Sequence, residues 1–260
     1  MNQSLKAACA AALTLAAMAA APHAQAAIVP LPAICSGLPT QAQLLTALKA
    51  SVKPSGGPTN GGLDLNMWAT IVAKDGTVCA VAFSGANYTS QWLGSRAISA
   101  QKANTANDFS LDNLALSTAN LYSATQPGGS LFGLQFSNPV DTNVAYTGAA
   151  TDYGTTGDPM LARRLGGVNV FGGGLALYTN SGKIGAVGVS GDTSCADHNV
   201  AWRVRTALGL NKVPAGVSAA DNDGIIYDIS GGKSAGGYGH PLCGGNEETV
   251  AESIGAGGPH

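Results

Sequence analysis

Charge is what this chain has least of. Asp, Glu, Lys and Arg supply 11% of 260 residues, against roughly 25% in an average soluble domain. The formal net charge is −2 and the 13 basic residues form no run. That argues against a nucleic-acid partner, which needs a concentrated positive face. Histidine is rarer still, at 4 residues. No two cysteines stand at C-x-x-C spacing, so the usual cysteine-rich zinc pattern is missing. Beyond the N-terminus, no stretch reaches the roughly 18 uninterrupted apolar residues of a membrane span.

Several catalytic and nucleotide-binding patterns are also missing. GVSGD is not the G-x-S-x-G turn that presents a nucleophilic serine. Gly185, Gly188 and Gly191 recur every three residues and lie within or just after a strand. A dinucleotide site needs G-x-G-x-x-G opening a helix. NSGK lacks the upstream glycine of a phosphate loop, and DNDG lacks the later ligands of a calcium loop.

Apolar residues make up 45%, enough for a full core, and glycine reaches 36. The first 26 residues, MNQSLKAACAAALTLAAMAAAPHAQA, carry one basic residue, Lys6, then an Ala/Leu-rich run and Ala24-Gln25-Ala26. This is the pattern of a secretory signal peptide, residues 1–26, with Pro22 ending the short apolar run. It predicts export to a periplasmic or extracellular space. Of 5 cysteines, Cys9 falls in that segment, leaving Cys35, Cys79, Cys195 and Cys243. An even number in an exported chain predicts two disulfides. Three pairings are possible; Cys195–Cys243 with Cys35–Cys79 is favoured. The first would tie a C-terminal tail to the Cys195 corner, the second an N-terminal segment to a strand.

The pattern along the chain predicts an α+β domain. Thr40 is a cap for a helix carrying Leu44, Leu45 and Leu48 on one face. Met67–Ala73 and Thr77–Phe83 are β-type runs around Asp75-Gly76, a strong hairpin signal. Ser95–Ser110 reads as a helix, and a third helical pattern covers Leu111–Thr125. Residues 130–165 read as a long loop with short ordered pieces. Leu175–Tyr178 and Ile184–Val189 are strands joined at Asn180-Ser181-Gly182, and Asp197–Leu208 is the last helix. Beyond Lys212 only Ile225–Tyr227 suggests a strand. Hairpin-joined strands imply an antiparallel sheet with helices packed on it.

Chemistry has few places to reside. His198 shares a helical face with Trp202 and Arg205, and a neutral imidazole there is able to ligate iron or another metal. His240 lies three residues before Cys243, so a disulfide would hold it near the Cys195 corner. On the Ser95–Ser110 helix, Ile98, Lys102, Thr105 and Phe109 share one face. Lys102 is a candidate partner for a ligand carboxylate and Thr105 a candidate donor. The plainer alternatives are a lysine reaching water from the core edge and a threonine bonded to its own helix. The Gly/Ala/Val strand permits close approach by another backbone or by a flat ligand, and close helix-on-sheet packing is the plainer reading.

Three stretches resemble the GlcG/HbpS-like haem-binding family, which includes the C-terminal domain of PduO-type proteins. They are the hairpin VAKDGTVCAVAFSG; the helix SRAISAQKANTANDF with its Lys102, Ala103, Thr105, Ala106 core; and FGGGLALYTNSGKIGAVGVSGD with Asp197 downstream. The chain departs from the family where Leu175-Ala176 stands for Pro-Ile or Pro-Leu, and where Cys-Ala-Asp-His opens the last helix. The resemblance implies a profilin- or roadblock-like fold with an antiparallel sheet of about five strands, homo-oligomers, and haem or tetrapyrrole as ligand. It implies roles for Lys102 and Thr105, with Arg96 a second propionate candidate by position. It frames residues 27–211 as the family domain, with a long loop insertion, and 212–260 as a Gly-rich, disulfide-tethered extension. Gly188–Asp192 would then shape a shallow pocket or interface, and Asp197 would favour the helix N-terminus by its charge. The implied function is an exported haem-binding or sensing protein, not an enzyme. The alternative is an enzyme or binder acting on a small organic acid or oxidised aromatic.

Overall fold

In β1 (Trp68–Ala73, WATIVA) every residue is buried. A strand covered on one face alternates apolar and polar; one covered on both is apolar throughout. The computed structural model, which describes residues 28–258, shows both covers. The expected signal peptide lies outside the described residues. β1 pairs with β2 (Val78–Phe83) through a turn in which Gly76 has φ 82°. β3 (Gly174–Thr179) and β4 (Gly182–Ser190) form a second hairpin, and β4 pairs with β1. The main sheet is antiparallel with order β2-β1-β4-β3.

It has four strands, not the expected five or so. Each edge carries only a single bridge, Thr77 to Arg164 beside β2 and Tyr178 to Asn211 beside β3. Ala162, two residues before Arg164, has φ 61° and breaks the extended chain. Pro214 follows Asn211 closely and has no N–H to continue a ladder.

The two faces of β1 part cleanly. Trp68 and Val72 point to α2 (Ser95–Phe109) and meet Ala97, Ala100, Ala103 and Ala106. Ala69, Ile71 and Ala73 point to α1 (Gln41–Ser51) and α6 (Ser194–Ala207), with Leu44, Leu48, Val200 and Val204. Each wholly buried Leu contributes roughly 1.5–3 kcal/mol of apolar burial. Thr40 and Gln43 form a reciprocal cap at the start of α1. Glycine in β4 serves the close packing of α2: a Cβ on Gly188 would lie 1.9 Å from Ser99 O. A helix backbone, not a flat ligand, occupies that approach.

Two helical expectations shift, and the long insertion is as expected. Leu111–Thr125 is not one helix; only the turn Ala119–Leu121 and α3 (Tyr122–Thr125) are helical. Ser110 and Asn120 side chains bond nearby backbone groups and compete with helix formation there. In the long insertion, α4 (Leu134–Ser137) and α5 (Thr142–Ala145) are the short ordered pieces, with a turn at Ala150–Asp152. α6 starts at Ser194 rather than Asp197, because the Thr193 hydroxyl accepts the Ala196 N–H.

The C-terminal extension is more ordered than expected. β5 (Ile225–Ile226) pairs in parallel with β8 (Gly257–Gly258), and β6 (Ile229–Ser230) with β7 (Lys233–Ser234). α7 (Glu247–Ile254) ends at Gly255, whose φ of 71° suits a glycine cap. Ile225, Ala251 and Ala256 pack with Cys195 and Ala119 as a satellite core over α6. Both favoured disulfides are present: Cys35–Cys79, Cα–Cα 5.5 Å, and Cys195–Cys243, Cα–Cα 6.1 Å.

Candidate functional site: the N-terminal end of α6

Helix α6 brings Cys195, Asp197 and His198 onto its first turns, and α2 aims Lys102 at them. Lys102 Nζ is 2.7 Å from Asp197 Oδ2 and also donates to Val189 O at 3.3 Å. Both side chains are buried. Asp197 Oδ1 accepts the Asp192 N–H at 2.9 Å. Burial pushes the Asp197 carboxyl up to about 6, against the opposing pull of Lys102 and of the Asp192 N–H. The glycines of the 172–174 run lie directly on this pair; a Cβ on Gly173 would be 3.2 Å from Lys102 Nζ. Lys102 therefore answers an internal carboxylate and presents no cation to a cleft. Asp197 acts as that counter-charge as well as standing in the first helical turn.

Arg96 and Thr105 are also engaged internally. Arg96 donates to both oxygens of buried Asp158 and to Ala145 O, and lies over the Tyr153 ring. It clamps the long insertion onto α2. Thr105 donates to Gln101 O at 2.8 Å and accepts the Asn169 N–H at 2.9 Å. A third buried pair, Arg205–Asp223, ties α6 to the extension with two hydrogen bonds of 2.6 and 2.8 Å. Gly188–Asp192, expected to shape a shallow pocket or interface, is buried at all five residues. Asp192 fills that corner, accepting N–H groups from Leu63 and Leu65.

The histidines differ in kind. His198 is 0% and His240 1% exposed. His198 Nε2 donates to Ala256 O at 3.2 Å, leaving Nδ1 with no partner. His240 Nδ1 donates to Pro241 O at 2.8 Å, leaving Nε2 with none. Burial pushes His198 down to about 3 and His240 down to about 4. Both rings are therefore neutral near pH 7, each with an unshared nitrogen lone pair. That is the imidazole form that ligates iron or another metal. The disulfide brings His240 to the α6 end, with its Nδ1 3.8 Å from Cys195 Sγ. The Tyr122 ring is 5.1 Å from the His240 ring, and Trp202 is 6.2 Å from His198. Tyr122 and Pro241 also line a cleft of about 770 Å³ between residues 122–130 and the extension, with Ser130, Lys233 and Ser234 on its walls.

Sequence reasoning singled out Lys102, His198 and His240 as ligand candidates but missed Asp197, Asp158 and Asp223 as counter-ions. These lie 95, 62 and 18 residues from the cations they meet. Tyr122 was also missed, since its place depends on where the extension folds back.

Comparison with curated proteins finds no match. Among solved structures, the Klebsiella pneumoniae protein ORFY is 24% identical, with TM-score 0.44, covering 66% of this chain and 90% of its own. A PduOC:haem complex is 23% identical, with TM-score 0.42, covering 64% and 89%. HbpS is 13% identical, with TM-score 0.37, covering 67% and 92%. A family described as haem degrading protein HbpS-like matches residues 62–205, from the loop before β1 to the last turn of α6. That is more than half of the chain, and the chain belongs to the HbpS-like family.

Proposed function

We propose that this protein is an exported haem-binding protein that binds or senses haem rather than degrading it. The observation that carries the reading is the pair of buried, neutral imidazoles at the end of α6, each with a ring nitrogen that nothing else uses. His198 lies inside the family-matched segment and His240 in the extension. Either would hold the iron through its free nitrogen, and bound haem would supply a redox-active centre. The extension covers His198 through Ala256, so access requires the β5–β8 layer to move. Family membership and the name of the haem-complexed neighbour support the ligand class. Paired disulfides support an oxidising compartment. Residues 27–211 would form the binding domain, 212–260 its tethered cover, and the working state would be a homo-oligomer.

Haemin titration of the oxidised protein, followed by ascorbate under air, tests both halves of this reading. A saturable Soret shift that survives ascorbate is expected. A band that forms and then bleaches enzymatically would make the protein a haem-degrading enzyme. No band would end the haem reading. The alternative, an enzyme or binder for a small organic acid or oxidised aromatic, relied on a free Lys102; the pairing with Asp197 removes that support.

A further inference from the structure

The Cys195–Cys243 bond does more than tether. His240 Nδ1 and the two sulfurs all lie within 4.8 Å of one another. The two sulfurs are joined to each other in the disulfide, and reduction frees them as two separate donors beside the imidazole. Cys195 is 0% exposed, and His240 is almost as deeply buried. The site is rigidly framed. Cys195 stands in the first turn of α6, a helix of 14 residues, and its backbone N–H donates to Cys243 Sγ at 3.2 Å. A helix N-terminus stabilises a thiolate through such N–H groups and the helix dipole. Tyr122 closes one side of His240, and Ser194 Oγ lies 3.5 Å from Cys243 Sγ at the other end of the cluster.

We propose that reduction converts this clasp into a binding site for a thiolate-preferring d10 cation, Zn²⁺ or Cu⁺, held by Cys195, Cys243 and His240. A dithiol reductant supplies two electrons and two protons: the S–S bond breaks, two thiols form, and the reductant becomes a disulfide. The bound cation, Zn²⁺ or Cu⁺, then displaces the two thiol protons, which leave to solvent. Two thiolates and one imidazole are a soft donor set that favours these ions over Mg²⁺ or Ca²⁺. The fourth position stays open to water or to the Ser194 hydroxyl. His240 binds through Nδ1, so its proton moves to Nε2 and the Pro241 hydrogen bond is given up. Burial, which holds the ring neutral, favours this role. The extension is thus cross-linked to α6 in two states, disulfide-bonded or metal-bound; when reduced and metal-free it is held without a cross-link, by contacts such as the Arg205–Asp223 pair and the satellite core. The proposal stands apart from haem binding and survives its failure.

The test is anaerobic Zn²⁺ titration of the reduced and the oxidised protein, with Co²⁺ as the spectroscopic probe. The reduced wild type is expected to bind one equivalent and to show a thiolate-to-Co²⁺ charge-transfer band; the oxidised protein shows neither. Cys243→Ser and His240→Ala should each weaken binding by more than the roughly 10- to 100-fold that loss of an outer-shell partner gives. Cys35 and Cys79 are reduced alike in the reduced wild type and in both reduced variants, so binding unchanged in both variants would assign the metal elsewhere and overturn the proposal. Equal binding before and after reduction would overturn it too. If a variant fails to fold, the wild type decides. Zn²⁺ should raise the melting temperature and protect residues 212–258 from proteolysis only after reduction, and no change in either contradicts the site.

Discussion

Replacing Lys102 with Met takes a cation from a site where it is 1% exposed and leaves Asp197 Oδ2 without its 2.7 Å partner. Methionine fills the space of the lysine stem, so packing loss is small and the effect is electrostatic. Breaking a buried pair from one side is expected to destabilise by about 3–5 kcal/mol. For a chain of this size that is a fall in melting temperature of roughly 6–20 °C. Asp197 has an escape, because its carboxyl is already raised to about 6 and takes up a proton more readily once Lys102 is gone. The sign follows from linkage. A carboxyl raised above its unfolded value binds more protons in the native state, so stability falls as pH rises through the folded value. The Lys102→Met defect should therefore be larger at pH 8 than at pH 5. Lys102→Met/Asp197→Asn keeps an acceptor for the Asp192 N–H and removes the stranded charge, and should recover more than half of the loss. Urea unfolding of wild type, single and double variants at both pH values measures this. A single-variant loss below about 1 kcal/mol, the scale of an exposed pair, or a loss independent of pH, would refute the reasoning.

Other perturbations have equally definite outcomes. His198 and His240 are held neutral with folded values near 3 and 4, so the unfolded chain binds more protons below its own value of about 6.5. Stability should fall as pH drops from 6.5 towards 4, and His198→Gln should flatten that slope in urea midpoints. Cys243→Ser opens a loop of 48 residues between partners, and the chain-entropy relation gives about 4 kcal/mol, seen as early melting and easier proteolysis of the extension. Gly188→Ala forces a Cβ to within 1.9 Å of Ser99 O. It should lift α2 from the sheet at a cost of about 1–3 kcal/mol or more, measurable by calorimetry.

Local signals explain which parts of the fold were legible. The Asp75-Gly76 turn announced the first hairpin because few residues other than glycine adopt its φ of 82° readily. The Ala-rich helix from Ser95 was legible because no Gly or Pro interrupts it. α7 was not: its eight residues sit among glycines, and its apolar face matters only against α6. The helical pattern at Leu111–Thr125 failed because Ser and Asn side chains there bond backbone groups that a helix would use. At the candidate site, residue types pointed to Lys102, Arg96 and the histidines. Whether a cation faces a ligand or a buried carboxylate depends on a residue far along the chain, and periodicity carries no information about that. Lys102 looked open for this reason and proved closed.

The most direct test is the Soret titration of oxidised wild type beside His198→Ala and His240→Ala at pH 7.5. The account predicts a saturable one-to-one shift in the wild type, with the band displaced or lost in one of the two variants. A wild type that produces no shift, or three proteins with the same spectrum, would contradict iron ligation by His198 or His240.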